Sequence, residues 1–97
     1  MAKYYLTNLA VKDLAEIWEY TYKEWSEKQA NKYYKLLLES CQELATYPNF
    51  GKNYNLVQPE LLGYKTNNHI IFFKIISVKE ILILRILHER MDLKSKL

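Results

Sequence analysis

Two consecutive stretches near the end of the chain, His69 to Ile76 and Ile81 to His88, are apolar at nearly every position. Both are dense in Ile, Leu and Phe, and a turn around Ser77 to Glu80 separates them. An antiparallel strand with one face in water should alternate apolar and polar side chains, so strands that are apolar on both faces indicate burial on both sides. This pair therefore predicts a hairpin inside a sheet that needs cover on each face.

Two amphipathic helices precede these strands. Their apolar residues recur at three- and four-residue steps. The two stripes are Ala10, Leu14, Ile17, Trp18, Thr21 and Trp25, then Ala30, Tyr33, Tyr34, Leu37, Leu38, Cys41, Leu44 and Ala45. Thr7 or Asn8 can cap the first helix, and Ser26 with Gln29 forms a capping box that starts the second. Because the second helix ends near Pro48 and almost no linker separates the two, they are predicted to form an antiparallel helical hairpin.

Strand-forming residues also occur at Lys3 to Thr7 and, interrupted by Gly63, at Leu61 to Thr66. Asn67-Asn68 is a predicted two-residue turn, since asparagine tolerates positive φ. The predicted order is an N-terminal strand, the helical hairpin and a three-strand antiparallel meander. This is an α+β fold with the helices on one face of the sheet. A chain of 97 residues is expected to form one domain, residues 1–97.

One helical hairpin can cover only one face of such a sheet. Strict alternation places Ile81, Ile83, Arg85 and Leu87 on one face of the last strand, and Leu82, Leu84, Ile86 and His88 on the other. In the strand before it, Ile71, Phe73 and Ile75 oppose Ile70, Phe72, Lys74 and Ile76. We therefore expect an exposed apolar patch that binds a partner. The alternative is that the loop Lys52 to Pro59 and the C-terminal tail fold across this face.

Composition and charge restrict the function classes. The single cysteine, Cys41, excludes an internal disulfide and supplies no metal-ligand pattern, so neither a metal nor a cofactor is expected. The N-terminus has no apolar signal segment, and charged residues interrupt Ile70 to Leu87, so a cytoplasmic protein without membrane contact is predicted. Residues 10–47 carry five lysines and seven acids, whereas the remainder carries nine basic and four acidic residues. This basic surface suits an RNA, an acidic protein surface, or only solvent.

One cluster of residues, at the end of the last strand, contains side chains that are suited to catalysis. It reads Arg85-Ile-Leu-His88-Glu-Arg90-Met-Asp92, while Gly-rich phosphate loops, His-Glu-x-x-His and Cys-x-x-Cys motifs are absent from the sequence. Histidine titrates near neutral pH and arginine grips phosphate, so His88 with Arg85 or Arg90 suits metal-independent RNA cleavage. Arg85 and His88 are three apart, however, and should point to opposite faces. A structural interpretation is favoured, in which His88 packs at the strand end and Arg90 pairs with Asp92.

Four stretches together resemble the ParE branch of the ParE/RelE toxins over nearly the whole chain. They are Tyr5-Leu6-Thr7 to Tyr20-Thr21 with Ala10, Asp13-Leu14 and Ile17-Trp18; Trp25 with Gln29-Ala30 and Tyr33; Leu44-Ala45 with Pro48 and Gly51; and His69-Ile-Ile-Phe-Phe followed by Ile83 to Asp92. The ending Arg-Ile-Leu-His-x-Arg-Met-Asp is the most specific of the four.

The resemblance implies the toxin of a type II toxin–antitoxin module, wrapped by a cognate antitoxin and contacting DNA only through it. ParE-like members resemble ribosome-dependent mRNA endonucleases in fold but typically poison DNA gyrase. Those nucleases have a tyrosine near the C-terminus, and no tyrosine follows Tyr64 here. A gyrase-directed toxin without enzymatic activity is therefore expected. The alternatives are an mRNA endonuclease using His88, Arg85 and Arg90, and a non-toxic relic that only binds antitoxin.

Two groups of residues are the candidate contact sites. For the target they are Arg85, His88, Arg90, Met91 and Asp92, in a segment from Arg85 to Leu97 that is expected to carry activity while contributing less to the fold. For the antitoxin they are Phe72, Lys74, Ile76, Ile81 and Ile83, which lie on the two apolar strands. The antitoxin is expected to contribute an amphipathic helix, an extra strand at a sheet edge, or both.

Overall fold

The computed structural model describes residues 1–97, apart from the side chain of Lys94. Strand β1 (Lys3–Leu6) is followed by helices α1 (Asn8–Glu24) and α2 (Glu27–Thr46). A 3-10 turn at Pro48–Phe50 leads to strands β2 (Lys52–Asn53), β3 (Leu62–Thr66), β4 (His69–Ser77) and β5 (Glu80–His88), and the short helix α3 (Leu93–Lys96) comes last. The predicted order is confirmed, while β2 and α3 are additions to it.

Both helices begin at the capping residues that the sequence indicates. The Thr7 hydroxyl accepts a hydrogen bond from the Ala10 N–H at 3.0 Å, and the Ser26 hydroxyl accepts one from the Gln29 N–H at 3.1 Å. Each bond satisfies one of the N–H groups that a helix leaves unpaired at its start. The helical hairpin is therefore set by local chemistry. Among the described helices, none is long and apolar enough to cross a membrane.

The sheet has the strand order β1-β5-β4-β3-β2. Strand β1 pairs with β5 in parallel, and the other neighbours pair antiparallel, which makes the meander of β3, β4 and β5 that was predicted. The helices connect β1, at one edge of the sheet, to β2 at the other edge, and they lie together on one face of the sheet. The fold is α+β.

The first hydrophobic core lies between the helices and the sheet. Its buried members are Ala10 and Leu14 of α1, Leu37, Cys41, Leu44 and Ala45 of α2, and Ile71, Phe73, Ile81, Ile83 and Ile86 of the sheet. Ile81 and Ile83 are fully buried here. The helices therefore cover both side chains in the free chain, and their role as antitoxin contacts stays a prediction.

A second core lies on the opposite face. Leu61, Ile70, Phe72 and Leu87 are buried there, under Tyr54 and Val57 of the loop and Leu93 and Leu97 of the tail. Phe72 is fully buried under this cover in the free chain, and its assignment as an antitoxin contact stays a prediction. The alternative reading, a loop and tail that fold across this face, is correct for most of it. The tail accordingly takes part in the fold.

Gly63 allows the loop to approach the sheet this closely. A Cβ added at Gly63 would lie 2.6 Å from a ring carbon of Tyr54 and 3.2 Å from Cγ2 of Ile70. Because real Cβ atoms essentially never come this close to another atom, a larger residue would displace the Tyr54 ring that covers Phe72. The glycine that weakens the strand signal of β3 thus serves the second core.

A β-bulge in β5 corrects the predicted facing of its last residues. Phe72 pairs with Arg85 and Phe73 pairs with Ile83, so Leu84 is an extra residue in β5. A bulge shifts the alternation by one position. Ile86 therefore joins Ile83 under the helices, and Leu87 lies on the opposite face. Strict alternation had grouped Ile83 with Leu87.

On the central hairpin, the exposed apolar side chains lie at its turn end, which we call the β4–β5 tip (residues 74–79). Ile75 and Ile76 are 53% and 52% exposed, and Val78 is 92% exposed. Lys74 is half-buried. Of the residues predicted to bind an antitoxin, only Lys74 and Ile76 thus remain accessible.

Candidate functional site

A groove of 830 Å³ opens between the helical hairpin and the ends of β4 and β5. One wall comes from the second half of α1 and the start of α2, with Ile17, Tyr20, Trp25, Gln29 and Tyr33. The floor comes from His69, Arg85, Ile86, Leu87 and His88, and the Asn67-Asn68 turn, Met91 and Lys96 complete the rim. Three of the five predicted target contacts, Arg85, His88 and Met91, therefore meet in one concave surface.

Arg85 is held by a buried carboxylate on α1. Its Nε donates to Asp13 Oδ2 at 2.8 Å and its Nη2 donates to Asp13 Oδ1 at 2.9 Å, a bidentate pair. Asp13 Oδ2 also accepts the Ile86 N–H at 3.0 Å. This bonding to Asp13 raises the pKa of Arg85, and Asp13 itself is only 7% exposed. The Asp13–Arg85 pair therefore joins α1 to the edge of β5.

A third N–H donor of Arg85 reaches the tail. Nη1 donates to the Lys96 carbonyl at 2.9 Å, so the guanidinium is bonded on both sides. Alternation predicts opposite faces for Arg85 and His88, yet both line the groove. The reason is that Arg85 lies at the edge of β5 beside α1, where its long side chain reaches Asp13. As a result, Arg85 is a structural residue here.

His69 and His88 lie directly opposite each other in the β4–β5 ladder. Their rings are 5.4 Å apart and nearly perpendicular, and the Tyr33 hydroxyl lies 2.7 Å from His69 Nδ1. Burial, with a smaller contribution from His88, lowers the pKa of His69 from 6.5 to about 4. His69 is therefore neutral at physiological pH, and it belongs to the structured floor of the groove.

The residues after β5 form a turn at the groove rim. The Arg90 N–H donates to His88 Nδ1 at 3.2 Å, which requires that this nitrogen carry no proton. Neutral His88 therefore keeps its proton on Nε2. The Arg90 side chain is exposed, Met91 is 43% exposed, and the Asp92 carbonyl accepts from the Ser95 hydroxyl at 3.1 Å. These contacts agree with the structural interpretation of His88, in which its side chain packs at the end of β5.

The aromatic rim of the groove is the part most available to a partner. Trp25 is 78% exposed and Tyr20 is 58% exposed, although both line the groove. Trp18 and Tyr22 stack 5.2 Å apart on α1, and the Trp18 indole N–H is bonded to Asn31 of α2 at 2.9 Å. Tryptophan and tyrosine are enriched among residues that dominate binding energy. The site is thus better suited to binding than to catalysis.

Other chemistry is poorly supported by the described residues. They contain no group of three His, Cys, Asp or Glu side chains placed to hold a metal ion. Cys41 is fully buried in the first core, and burial raises the pKa of its thiol to about 12. A thiol that stays protonated and inaccessible is a poor nucleophile.

Sequence reasoning missed Asp13, Tyr33 and His69 as members of the site. For Asp13 a signal existed, because a carboxylate three residues after Ala10 and next to Leu14 lies on the apolar stripe of α1. Such an acid must find a buried partner. The pairing of Tyr33 with His69 depends on how the hairpin sits on the sheet, which the sequence does not encode locally.

We predict that Asp13→Asn destabilises the protein by about 3–5 kcal/mol, because it leaves the largely buried Arg85 cation without its counter-charge. Urea unfolding of Asp13→Asn, Arg85→Gln and the double variant should give a coupling energy of at least about 1 kcal/mol. As a control, Glu19→Gln breaks the exposed Glu19–Lys23 pair and should cost less than about 0.5 kcal/mol. Additive losses in the double variant would contradict a direct interaction.

We also predict a pH dependence of stability that originates in His69. Its pKa is about 4 when folded and 6.5 as the unperturbed value. Below pH 6.5 the unfolded chain therefore binds a proton that the folded chain refuses, so the stability present above pH 6.5 falls until about pH 4. In thermal unfolding from pH 7.5 to 4.5, His69→Gln should flatten this slope. Tyr33→Phe leaves the His69 ring buried, so this control should keep the wild-type slope. A slope in His69→Gln equal to that of the wild type would refute the assignment.

Comparison with known proteins places this geometry in a family. Residues 4–93 match the model of the family described as ParE toxin of type II toxin-antitoxin system, parDE. The chain is 33% identical over 97 residues to Toxin ParE of Escherichia coli, covering 100% of this chain and 94% of the relative. It is 29% identical over 96 residues to Toxin ParE1 of Mycobacterium tuberculosis (strain CDC 1551 / Oshkosh), covering 99% and 98%.

A solved structure titled "Chromosomal ParDE TA system from P. aeruginosa" has the same fold. The TM-score is 0.76 over 91% of this chain and 96% of that chain, at 23% sequence identity. The matched region, residues 4–93, includes α1 with Asp13, all of β5 and the turn that follows it, and therefore most of the groove. The chain belongs to the family of ParE toxins of type II toxin–antitoxin systems.

Proposed function

We propose that this chain is the toxin of a type II toxin–antitoxin module, that an antitoxin segment occupies the groove, and that the toxin acts on DNA gyrase. The observation that carries the proposal is an open groove with an exposed aromatic rim on a chain of the ParE family. DNA is contacted only through the antitoxin. The two parts of the proposal, antitoxin binding and target choice, are supported by different features.

The shape of the groove suits a protein segment. Its 830 Å³ can accommodate several side chains, and its rim continues onto the surface through Trp25 and Tyr20. An amphipathic helix that lays its apolar face into a hydrophobic groove is a common mode of peptide recognition. Ile17, Leu87 and Met91 offer apolar contacts between the aromatic rim and the floor.

The charge at the groove indicates the polar character of this segment. Glu16 lines the groove, and Glu19 and Glu24 flank it on α1. Lys23 is bonded to Glu19 at 3.1 Å and neutralises one of these charges. The α1 side of the rim is therefore acidic, while Lys96 lies on its tail side, and an antitoxin helix with basic residues facing α1 would match this distribution.

The RNA-cleavage alternative is weakened by the position of Arg85. A nuclease of this kind needs cations to bind the phosphate, yet three of the five Arg85 N–H donors are bonded to Asp13 and the Lys96 carbonyl, which leaves Arg90 as the exposed candidate. His88 remains accessible in the groove, but its Nδ1 is bonded to the Arg90 N–H. Gyrase inhibition, which needs binding and not acid–base chemistry, is the function that these contacts favour.

We predict that Trp25→Ala weakens antitoxin binding by at least about 30-fold, because a large exposed aromatic at a groove rim is typical of a dominant contact. Isothermal titration with the antitoxin encoded beside this gene measures the effect. Tyr47→Ala removes an aromatic that is 53% exposed outside the groove and should leave the affinity unchanged. Equal affinities for wild type and Trp25→Ala would place the antitoxin elsewhere.

The target prediction is tested with purified components. The free toxin should inhibit ATP-dependent supercoiling by gyrase, and added antitoxin should restore it. The same preparation should leave mRNA intact in a translating extract. Cleavage of mRNA that His88→Ala abolishes would establish the nuclease alternative instead, and normal growth on expression of the chain would establish the non-toxic relic.

A further inference from the structure

We infer that the β4–β5 tip is a second docking surface, separate from the groove, which inserts into an acidic cleft on the protein that the toxin targets. This inference rests on the proposed function, since it assigns a surface to the target and leaves the groove to the antitoxin. It differs from the earlier assignment, in which Lys74 and Ile76 were antitoxin contacts and the target was contacted through residues 85–92.

The tip projects beyond the neighbouring strand. Strand β3 pairs with β4 from His69 to Phe73, so residues 74–77 of β4 extend past the last pair. At about 3.4 Å per residue, this four-residue overhang is about 14 Å long. Over it, the backbone edge of β4 that faces away from β5 has no strand partner in the described sheet.

The tip displays aliphatic side chains that the fold does not use. Ile75 pairs with Ile81 and Ser77 with Glu80, which leaves Ile76 unpaired in a bulge. A bulge bends the strand and redirects a side chain, and here the two adjacent isoleucines are both about half exposed. Val78 at the turn is 92% exposed. None of the three belongs to either core.

Positive charge surrounds these side chains. Lys74 and Lys79 bracket the tip, and the Lys3 N–H bonds to the Lys79 carbonyl at 2.8 Å, which brings a third lysine and the N-terminus to the same end. None of these three lysines forms a salt bridge within the described part of the chain. The Glu80 carboxylate is bonded to the Tyr5 and Ser77 hydroxyls at 2.7 and 2.8 Å.

This combination selects an acidic protein partner with an apolar cleft. A protruding apolar tip ringed by lysines is complementary to a concave site rimmed by carboxylates. The open backbone edge needs hydrogen-bond partners when it is buried, and a protein supplies these whereas lipid does not. A short antitoxin segment fits a groove, while a convex tip requires a partner large enough to contain a cleft. The toxin's target is the partner that meets this requirement.

The test compares Ile76→Asp and Lys79→Glu at the tip with Leu56→Asp and Lys35→Glu, two exposed positions elsewhere. We expect each tip variant to raise the inducer concentration for half-maximal growth inhibition at least tenfold, and to weaken gyrase inhibition by the same factor. Antitoxin affinity should be unchanged. Because these are surface substitutions, each should shift Tm by no more than about 4 °C. Should Ile76→Asp unfold the hairpin, Lys79→Glu still tests the tip in a folded protein.

The other outcomes overturn the inference in distinguishable ways. Tip variants that remain fully toxic but escape neutralisation would assign the tip to the antitoxin. Tip-dependent sedimentation with vesicles of phosphatidylcholine and phosphatidylglycerol would assign it to a membrane, and tip-dependent dimers in analytical ultracentrifugation to a second copy. Tip variants with full toxicity and normal neutralisation would refute the role of the tip and leave the proposed function intact. A non-toxic wild type would refute the proposed function itself, and the inference with it.

Discussion

The Asp13–Arg85 pair is the interaction on which the arrangement of this molecule depends. Strand β1 pairs with β5 only as far as Ile83, so the edge of β5 beyond that point needs other partners. The Thr7 hydroxyl donates to the Leu84 carbonyl at 2.7 Å, and Asp13 accepts the Ile86 N–H. Arg85 then compensates the buried carboxylate and extends to the tail carbonyl at Lys96. The Asp13–Arg85 pair thus connects α1, β5 and the tail, and these three elements frame the groove.

The outer face of the sheet shows why the apolar strands were hard to interpret from sequence. Their two-sided apolar character correctly indicated burial on both faces, but the cover is Tyr54 and Val57 of the loop with Leu93 and Leu97 of the tail. These are scattered single residues in polar segments, without periodicity. They cover the face because Gly63 lets Tyr54 approach it. On this side of the sheet, the surface left for a partner is therefore the end of the hairpin and not its face.

The sequence predicted features that depend on neighbouring residues and failed where distant ones decide. The caps at Thr7 and Ser26, the helical hairpin and the meander follow from patterns within a few residues and are confirmed. The bulge at Leu84 does not follow from any such pattern, and it moved Ile86 and Leu87 to the faces opposite those expected. His88 and Arg85 were identified as site residues from the chemistry of their side chains. Their roles in the structure follow from hydrogen bonds with Arg90 and Asp13, respectively.

The uneven charge along the chain acquires a meaning once the fold is known. The acidic excess of residues 10–47 lies in the helices, and part of it, Glu16 and Glu24, flanks the groove. The basic excess lies partly in Lys74 and Lys79 at the tip, where β1 adds Lys3. Glu80, next to the tip, and His88, at the groove, are the two ends of the nine-residue strand β5, about 27 Å apart along an extended chain. At that separation ionic screening makes the two surfaces electrostatically independent, so each can select a partner of opposite charge without interfering with the other.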